Sequence, residues 1–208
     1  MNNKIIIGIC GGTASGKTTL AHILMDFYKN NACMISLDSY YNDINHLSFS
    51  KRELINFDDP KALDFELIVS HLNKLFIDEK IEVPMYDFNS HRRLNRTSIL
   101  LPKDIIILEG IHILYNPIIR KMINIKIFID VDDNIRMKRR IKRDVNKRSR
   151  TLKSIINQYK DTVKPMYMKY VDPVKIYSDI ILPKGGKNSA GIDLIKIKID
   201  ELLYKVKI

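Results

Sequence analysis

An aliphatic run, Ile5-Ile6-Ile7-Gly8-Ile9-Cys10, leads straight into Gly11-Gly12-Thr13-Ala14-Ser15-Gly16-Lys17-Thr18-Thr19, and this junction constrains the chain more than any other stretch. An Ile-rich run of this length reads as a buried parallel strand. Gly11 to Thr18 fit G-x-x-x-x-G-K-[ST], and Leu20, Ile23, Leu24 and Phe27 follow at helical spacing. Strand, Gly-rich loop and helix in that order let backbone N–H groups close on anionic oxygens, aided by the positive end of the helix. Lys17 is then placed to reach the β- and γ-phosphates, and the Thr18 hydroxyl to bind Mg²⁺. A Gly-rich turn matching by chance would lack this strand and helix. The junction predicts binding of a nucleoside triphosphate.

Length and composition bound the rest. At 208 residues and 45% hydrophobic content the chain is expected to form one domain, 1–208, with a real core. No apolar run approaches the roughly 20 residues of a membrane span. The first strand begins almost at the N-terminus, which leaves no room for a signal segment. Cys10 and Cys33 each sit in an apolar stretch and read as reduced core residues, so a cytoplasmic location is expected. The net charge of +11 is uneven: residues 1–120 hold 13 Lys and Arg against 14 Asp and Glu, and residues 121–208 hold 22 against 10. Such a bias suits either nucleic acid or a basic segment closing over nucleotide phosphates.

Further buried strands are expected at Ala32–Leu37, Ile105–Gly110, Ile125–Asp130 and Ile180–Leu182, alternating with helices near 62–76, 134–146 and 192–206. That alternation predicts an α/β fold with a doubly wound, mainly parallel sheet. Ile81–Tyr86 and Arg96–Leu101 read as two short strands of an inserted hairpin, 80–102, because Pro84 is unsuited to a central strand. Asp38 and Glu109 fall at strand ends, where ligands bind in parallel sheets. With Thr18 they converge where Mg²⁺ must bridge phosphates, one carboxylate for the metal's water shell and the other for the proton of an attacking hydroxyl. A switch GTPase would need Asn-Lys-x-Asp, which does not occur. A kinase acting on a small hydroxyl substrate is therefore favoured.

Nine of the fifteen residues from Arg136 to Arg150 are Lys or Arg. A solvated face accounts for Lys138, Arg139, Lys142 and Lys147. The remaining arginines suit a lid, 136–160, whose guanidinium forks neutralise charge in phosphoryl transfer. His22, His46, His71 and His112 show no metal-ligand grouping and read as surface or packing residues. Tyr40 reads as packing and Tyr41 as a substrate neighbour.

Asp38-Ser39-Tyr40-Tyr41, Asn56-Phe57-Asp58-x-Pro60, Pro84-x-Tyr86-Asp87-Phe88-x-x-His91, Glu109-Gly110-Ile111, Arg139-Arg140-x-x-Arg143-Asp144 and Pro183-x-Gly185-Gly186-x-Asn188 occur in that order. With the Gly-rich loop, this set resembles the uridine kinase (uridine–cytidine kinase) family from about Lys4 to Ile199. The resemblance implies a five-stranded P-loop kinase sheet with an Arg-rich lid, transfer of phosphate from ATP or GTP with Mg²⁺ to the 5′-hydroxyl of uridine or cytidine, and pyrimidine salvage. It implies a homotetramer, with no nucleic-acid or membrane partner. It makes Asp38 the general base, with Thr18, Glu109 and Asp38 around the metal. Asp58, Arg140 and Gln158 are implied at the ribose hydroxyls. Tyr86, His91 and Arg150 are implied at the pyrimidine edge, with Phe57 and Phe88 as walls. Lys17, Arg143 and Arg148 are implied on the phosphates.

Three residues depart from the family pattern. Asp59 replaces a usual His and adds negative charge near the ribose, Ser149 replaces a Gly between lid arginines, and Lys187 stands where an acid often lies near the donor base. A phosphoribulokinase-like or pantothenate-kinase-like enzyme is the nearest alternative, and Tyr86 and His91 favour a nucleoside. A nucleic-acid binder would interleave aromatic stacking residues with its cations, which the basic segment does not. A regulatory nucleotide-binding protein without catalysis is the third reading.

Overall fold

A computed structural model describes residues 4–148 and 150–205, so Ser149 lies outside the described residues, as do Val206 and the side chain of Lys147. Five strands, β1 (Ile5–Gly11), β2 (Ala32–Ser36), β5 (Ile105–Glu109), β6 (Ile125–Asp130) and β7 (Ile180–Pro183), form a parallel sheet in the order β2-β5-β1-β6-β7. The expected five parallel strands are all present. β1 is central and buried throughout, which is why its run of isoleucines is unbroken by polar residues.

Alternate side chains of β1 serve different layers. Ile6 and Cys10 pack with Ile106, Leu108 and Phe128 against Ile68, Leu72 and Leu75 of α3 (Phe65–Phe76). Ile5, Ile7 and Ile9 pack with Ile105, Ile107 and Ile127 against α1 (Lys17–Tyr28) and Ile192, Ile195 and Ile199 of α8 (Ser189–Lys205). Burying both faces fixes the register of every strand, because a slip of one residue would exchange the two layers.

The hairpin stands apart from this sheet. β3 (Ile81–Asp87) and β4 (Arg92–Leu100) pair antiparallel, with an irregularity between Pro84 and Tyr86. β4 begins four residues earlier than the sequence suggests. Arg93 Nε donates to the Tyr41 carbonyl at 3.0 Å and its terminal nitrogens to Asp64 Oδ2, so a basic residue that reads as loop is held in strand by acceptors beneath it. The tip is tied down too. Arg52, buried on the short helix α2 (Phe49–Glu53), donates to the Ser90 and Leu47 carbonyls.

The basic helix α5 (Asp133–Arg148) exceeds its expected span by a residue or two at each end. After α4 (Pro117–Met122), β6 and α5 comes α6 (Leu152–Gln158), capped by Thr151. It continues through π-helical turns, Tyr159–Val163 and Tyr167–Val171, on either side of α7 (Lys164–Met166).

Candidate active site

The C-terminal ends of β1, β2 and β5 open into one cleft of about 810 Å³. Every residue that the sequence places at the site lines this cleft except Gly11, Gly12 and Ser15. Those three form the underside of the loop. Gly11 lies in a left-handed conformation, and a Cβ there would strike the Ile129 carbonyl oxygen. Gly16, also left-handed, packs against Gly186 of the loop after β7. That second contact brings Lys184, Gly186 and Lys187 to the donor end of the cleft.

Lys17 Nζ rests on the Gly12 carbonyl at 3.1 Å. Burial pulls its pKa below the usual lysine value, while the charges of Glu109 and Asp38 hold it up. Glu109, 4% exposed, accepts a hydrogen bond from Ser36 Oγ at 2.7 Å. Burial pushes its carboxyl up, and Lys17 opposes that shift. A cation between carboxylates and a hydroxyl, at the mouth of a helix N-terminus, is an arrangement for a metal-bridged polyphosphate. Among the described residues no three His, Cys, Asp or Glu side chains cluster as a metal site. Thr18, Glu109 and Asp38 are the oxygen-bearing side chains of this cleft that could hold a Mg²⁺, an ion that usually keeps several ligands from phosphate and water.

The opposite end is aromatic. His91, held at a positive φ of 51° on the hairpin tip, stacks on Phe57 with centroids 5.0 Å apart and planes 10° from parallel. Tyr41 packs against Phe57 and Tyr86 at 5.2 and 4.9 Å, and Phe88 against Tyr86 at 5.3 Å. The Tyr86 hydroxyl is buried without a hydrogen-bond partner, a polar group available to a planar ligand. Burial lowers the pKa of His91, which keeps its ring neutral and able to accept as well as donate.

Between the two ends sits Asp58, whose carboxyl burial pushes up and Arg140 pulls back. Arg140 donates to Thr13 Oγ1 at 3.0 Å and to Gln158 Oε1 at 2.8 Å, and Arg150 donates to the same Gln158 oxygen. Arg148 lies over the Phe88 ring at 4.7 Å. Asp144 organises these cations. It is fully buried, accepts from Arg143 Nε at 2.7 Å, and faces Arg148 and Arg140 at 3.7 and 3.5 Å. Burial works against its charge, yet the Arg143 hydrogen bond and the three guanidinium charges hold its pKa below the carboxylate norm.

The chain is matched over residues 6–190 by the model of the phosphoribulokinase / uridine kinase family. It belongs to that family. It is 47% identical over 206 residues to a uridine kinase of Clostridium perfringens, covering 99% of each chain. Its fold resembles that of a putative fructose transport system kinase from Silicibacter sp. TM1040, with a TM-score of 0.69 at 17% identity over 86% of this chain and 90% of the other. It also resembles phosphoribulokinase from Rhodobacter spheroides, with a TM-score of 0.64 at 13% identity over 88% and 71%. The family is one of kinases, and the cleft has the parts that a kinase requires.

Within this family fold, three readings of the sequence need correction. Arg139 is not merely a solvated cation: it donates to the Ser15 carbonyl at 3.3 Å and lines the donor end. Arg136 is not on a lid surface. It is 2% exposed, donates to Val131 O and Asp133, stacks on Tyr167 at 4.1 Å, and would collide with any Cβ on Gly12. Asp59 turns its carboxylate onto the Lys61 amide, capping the turn at Pro60–Ala62, and is absent from the cleft lining. Ser36 and Asp144 received no role from sequence. A signal existed for Asp144, which stands four residues after Arg140 and four before Arg148 on one helix.

Proposed function

We propose that this chain is a uridine kinase that phosphorylates uridine and cytidine at the 5′-hydroxyl, with ATP or GTP as donor and Mg²⁺, in pyrimidine salvage. The observation that carries the reading is the stacked Phe57–His91 pair with the unpartnered Tyr86 hydroxyl, lining one cleft with Asp58 and Asp38. A base, a ribose diol and a primary hydroxyl need these groups. The name of the 47%-identical relative points the same way.

Asp38 takes the proton of the 5′-hydroxyl, and its oxygen attacks the γ-phosphorus. The bond from γ-phosphorus to the β,γ-bridging oxygen breaks, and the nucleoside diphosphate leaves with the electron pair. Lys17, Arg143 and Arg148 neutralise charge on the transferring group. Thr18, Glu109 and Asp38 would hold Mg²⁺, which supplies charge neutralisation across the β- and γ-phosphates. Asp58, Arg140 and Gln158 bind the ribose hydroxyls, and Tyr86, His91 and Arg150 the base, between Phe57 and Phe88. Lys184 and Lys187 line the same cleft, and either ATP or GTP is the donor in this reading. A homotetramer in the cytoplasm belongs to the same reading.

A steady-state assay of uridine, cytidine, thymidine and adenosine against ATP and GTP tests this. Turnover of uridine and cytidine with little of the others is expected; turnover only of another alcohol rejects it. Asp38→Asn is expected to lower kcat by about 10³-fold or more with ATP binding largely retained. Full activity in that variant removes Asp38 as the base.

A further inference from the structure

His112 lies in the loop that follows β5, three residues beyond Glu109. It has no solvent exposure, and its Nε2 is 2.8 Å from the backbone carbonyl oxygen of Asp58. The carbonyl can only accept, so Nε2 carries the proton. The other ring nitrogen, Nδ1, is then the unprotonated acceptor, and it is buried with no donor facing it. Burial drives the pKa down to about 4, so the ring is neutral at working pH and the donor is fixed. The Tyr115 and Tyr170 rings stand edge-on at 6.2 and 6.3 Å and confine its plane.

The turn that carries Asp58 is bonded within itself and is packed on one side, where Phe57 meets Tyr41 and His91. Asn56 Oδ1 accepts from the Asp58 amide at 3.1 Å, the Asn56 carbonyl accepts from the Asp59 amide, and Asp59 caps the turn that follows. Those contacts shape the turn and seat Phe57 against the core, and Asn42 holds the Lys61 and Ala62 carbonyls beyond it, but none of them reaches the Asp58 carbonyl. The His112 bond joins it to the loop carrying Glu109, and so to the frame of the phosphate site. A carboxylate that recognises two hydroxyls must be held within about half an ångström of its place.

We propose that His112 is a positioning residue for ribose recognition, its Nε2–H pinning the Asp58 backbone so that the carboxylate meets the substrate's 2′- and 3′-hydroxyls. The inference rests on the reading of Asp58 as the ribose acceptor. It separates His112 from a residue that merely fills the core, because its loss then costs selectivity for ribosides and not activity at large.

The test compares uridine with 2′,3′-dideoxyuridine, which keeps the 5′-hydroxyl but offers no hydroxyl to Asp58, in the wild-type protein, in His112→Phe, which keeps a ring without the donor, and in His112→Gln, whose amide nitrogen can reach the same carbonyl. In His112→Phe the KM for uridine is expected to rise about tenfold, the loss of one well-placed hydrogen bond, with kcat/KM for 2′,3′-dideoxyuridine and KM for ATP nearly unchanged. The uridine-to-dideoxyuridine preference then falls about tenfold, and His112→Gln restores most of it. His112→Met replaces His112→Phe if the latter does not fold. Equal losses on both nucleosides, or a His112→Gln variant no better than the donorless one, overturns the inference alone. A wild-type protein with no preference for uridine over its dideoxy analogue removes the ribose role of Asp58, and the inference with it.

Discussion

The donor and acceptor ends of the cleft are built by different means. At the donor end the backbone is the binding surface: Gly11 to Gly16 supply N–H groups, and their shape is set by close backbone approaches such as Gly16 against Gly186. At the acceptor end side chains from separate segments do the work. Phe57 and Asp58 come from a turn, Tyr86 and His91 from the hairpin, and Arg140, Arg150 and Gln158 from the lid region. A backbone site tolerates many residues but almost no added atoms. A side-chain site tolerates small shape changes but depends on charges that hold long arginines in place. The two ends should therefore fail differently.

The sharpest break is steric. A Cβ on Gly186 would sit on the Gly16 carbonyl oxygen and 3.0 Å from the Leu20 amide nitrogen, both backbone atoms that cannot turn aside. Gly186→Ala is expected to weaken nucleotide binding and cut kcat/KM for ATP by about 100-fold, a displacement of the phosphate loop. The KM for uridine should hardly move. Equal effects on both substrates would mean that the ends are not independently built.

Asp144→Asn tests the acceptor end through charge alone. Removing the buried anion leaves Arg140, Arg143 and Arg148 with mutual repulsion and no common partner. An approximately 30-fold fall in kcat/KM for uridine is expected, the scale of losing one partner in a buried charged network, shared between KM and kcat because Arg143 and Arg148 also face the transferring phosphate, with nucleotide affinity, held by the loop backbone and Lys17, falling by less. A variant that loses ATP binding to the same degree would show that Asp144 serves the donor end instead.

This contrast explains what the sequence could disclose. The donor end is local: Gly11 to Thr19 are contiguous, and Ile5 to Cys10 announce the strand beneath them, so sheet and loop follow from spacing alone. Asp38 and Glu109 were also accessible, because each closes an aliphatic run whose end must lie beside the loop. The acceptor end is assembled from residues as far apart as Phe57 and Gln158, and no periodicity links Phe57 to His91 or to Gln158. Only the ordered family motifs brought them together. Arg136 and Asp59 show the limit from the other side. A charge in a basic run or beside a ligand residue looks functional until the fold shows it held internally, Arg136 by Val131, Asp133 and Tyr167 although its Nη1 stays unpartnered, and Asp59 by the Lys61 amide.

The least effect at neutral pH, and the most direct check of a buried group, concerns acid stability. His112 titrates near the usual 6.5 in the unfolded chain, whereas burial lowers it to about 4 in the folded one, against the opposing pull of the Asp58 carbonyl and the Asp59 charge. Its contribution is complete above pH 6.5 and is lost as the pH falls from there to 4, because only the unfolded chain takes up the proton in that window. The full loss corresponds to about 3 kcal/mol at about 1.4 kcal/mol per pH unit. Glu109 and Asp58 have raised pKa values and so oppose the trend at lower pH, but a comparison with His112→Gln cancels them. Denaturant unfolding between pH 4 and 8 should show wild-type stability falling more steeply below pH 6.5 than that of His112→Gln. Parallel curves would place His112 in a site where it can take up a proton, and the fixed Nε2–H donor linking the two ends of the cleft would be lost with it.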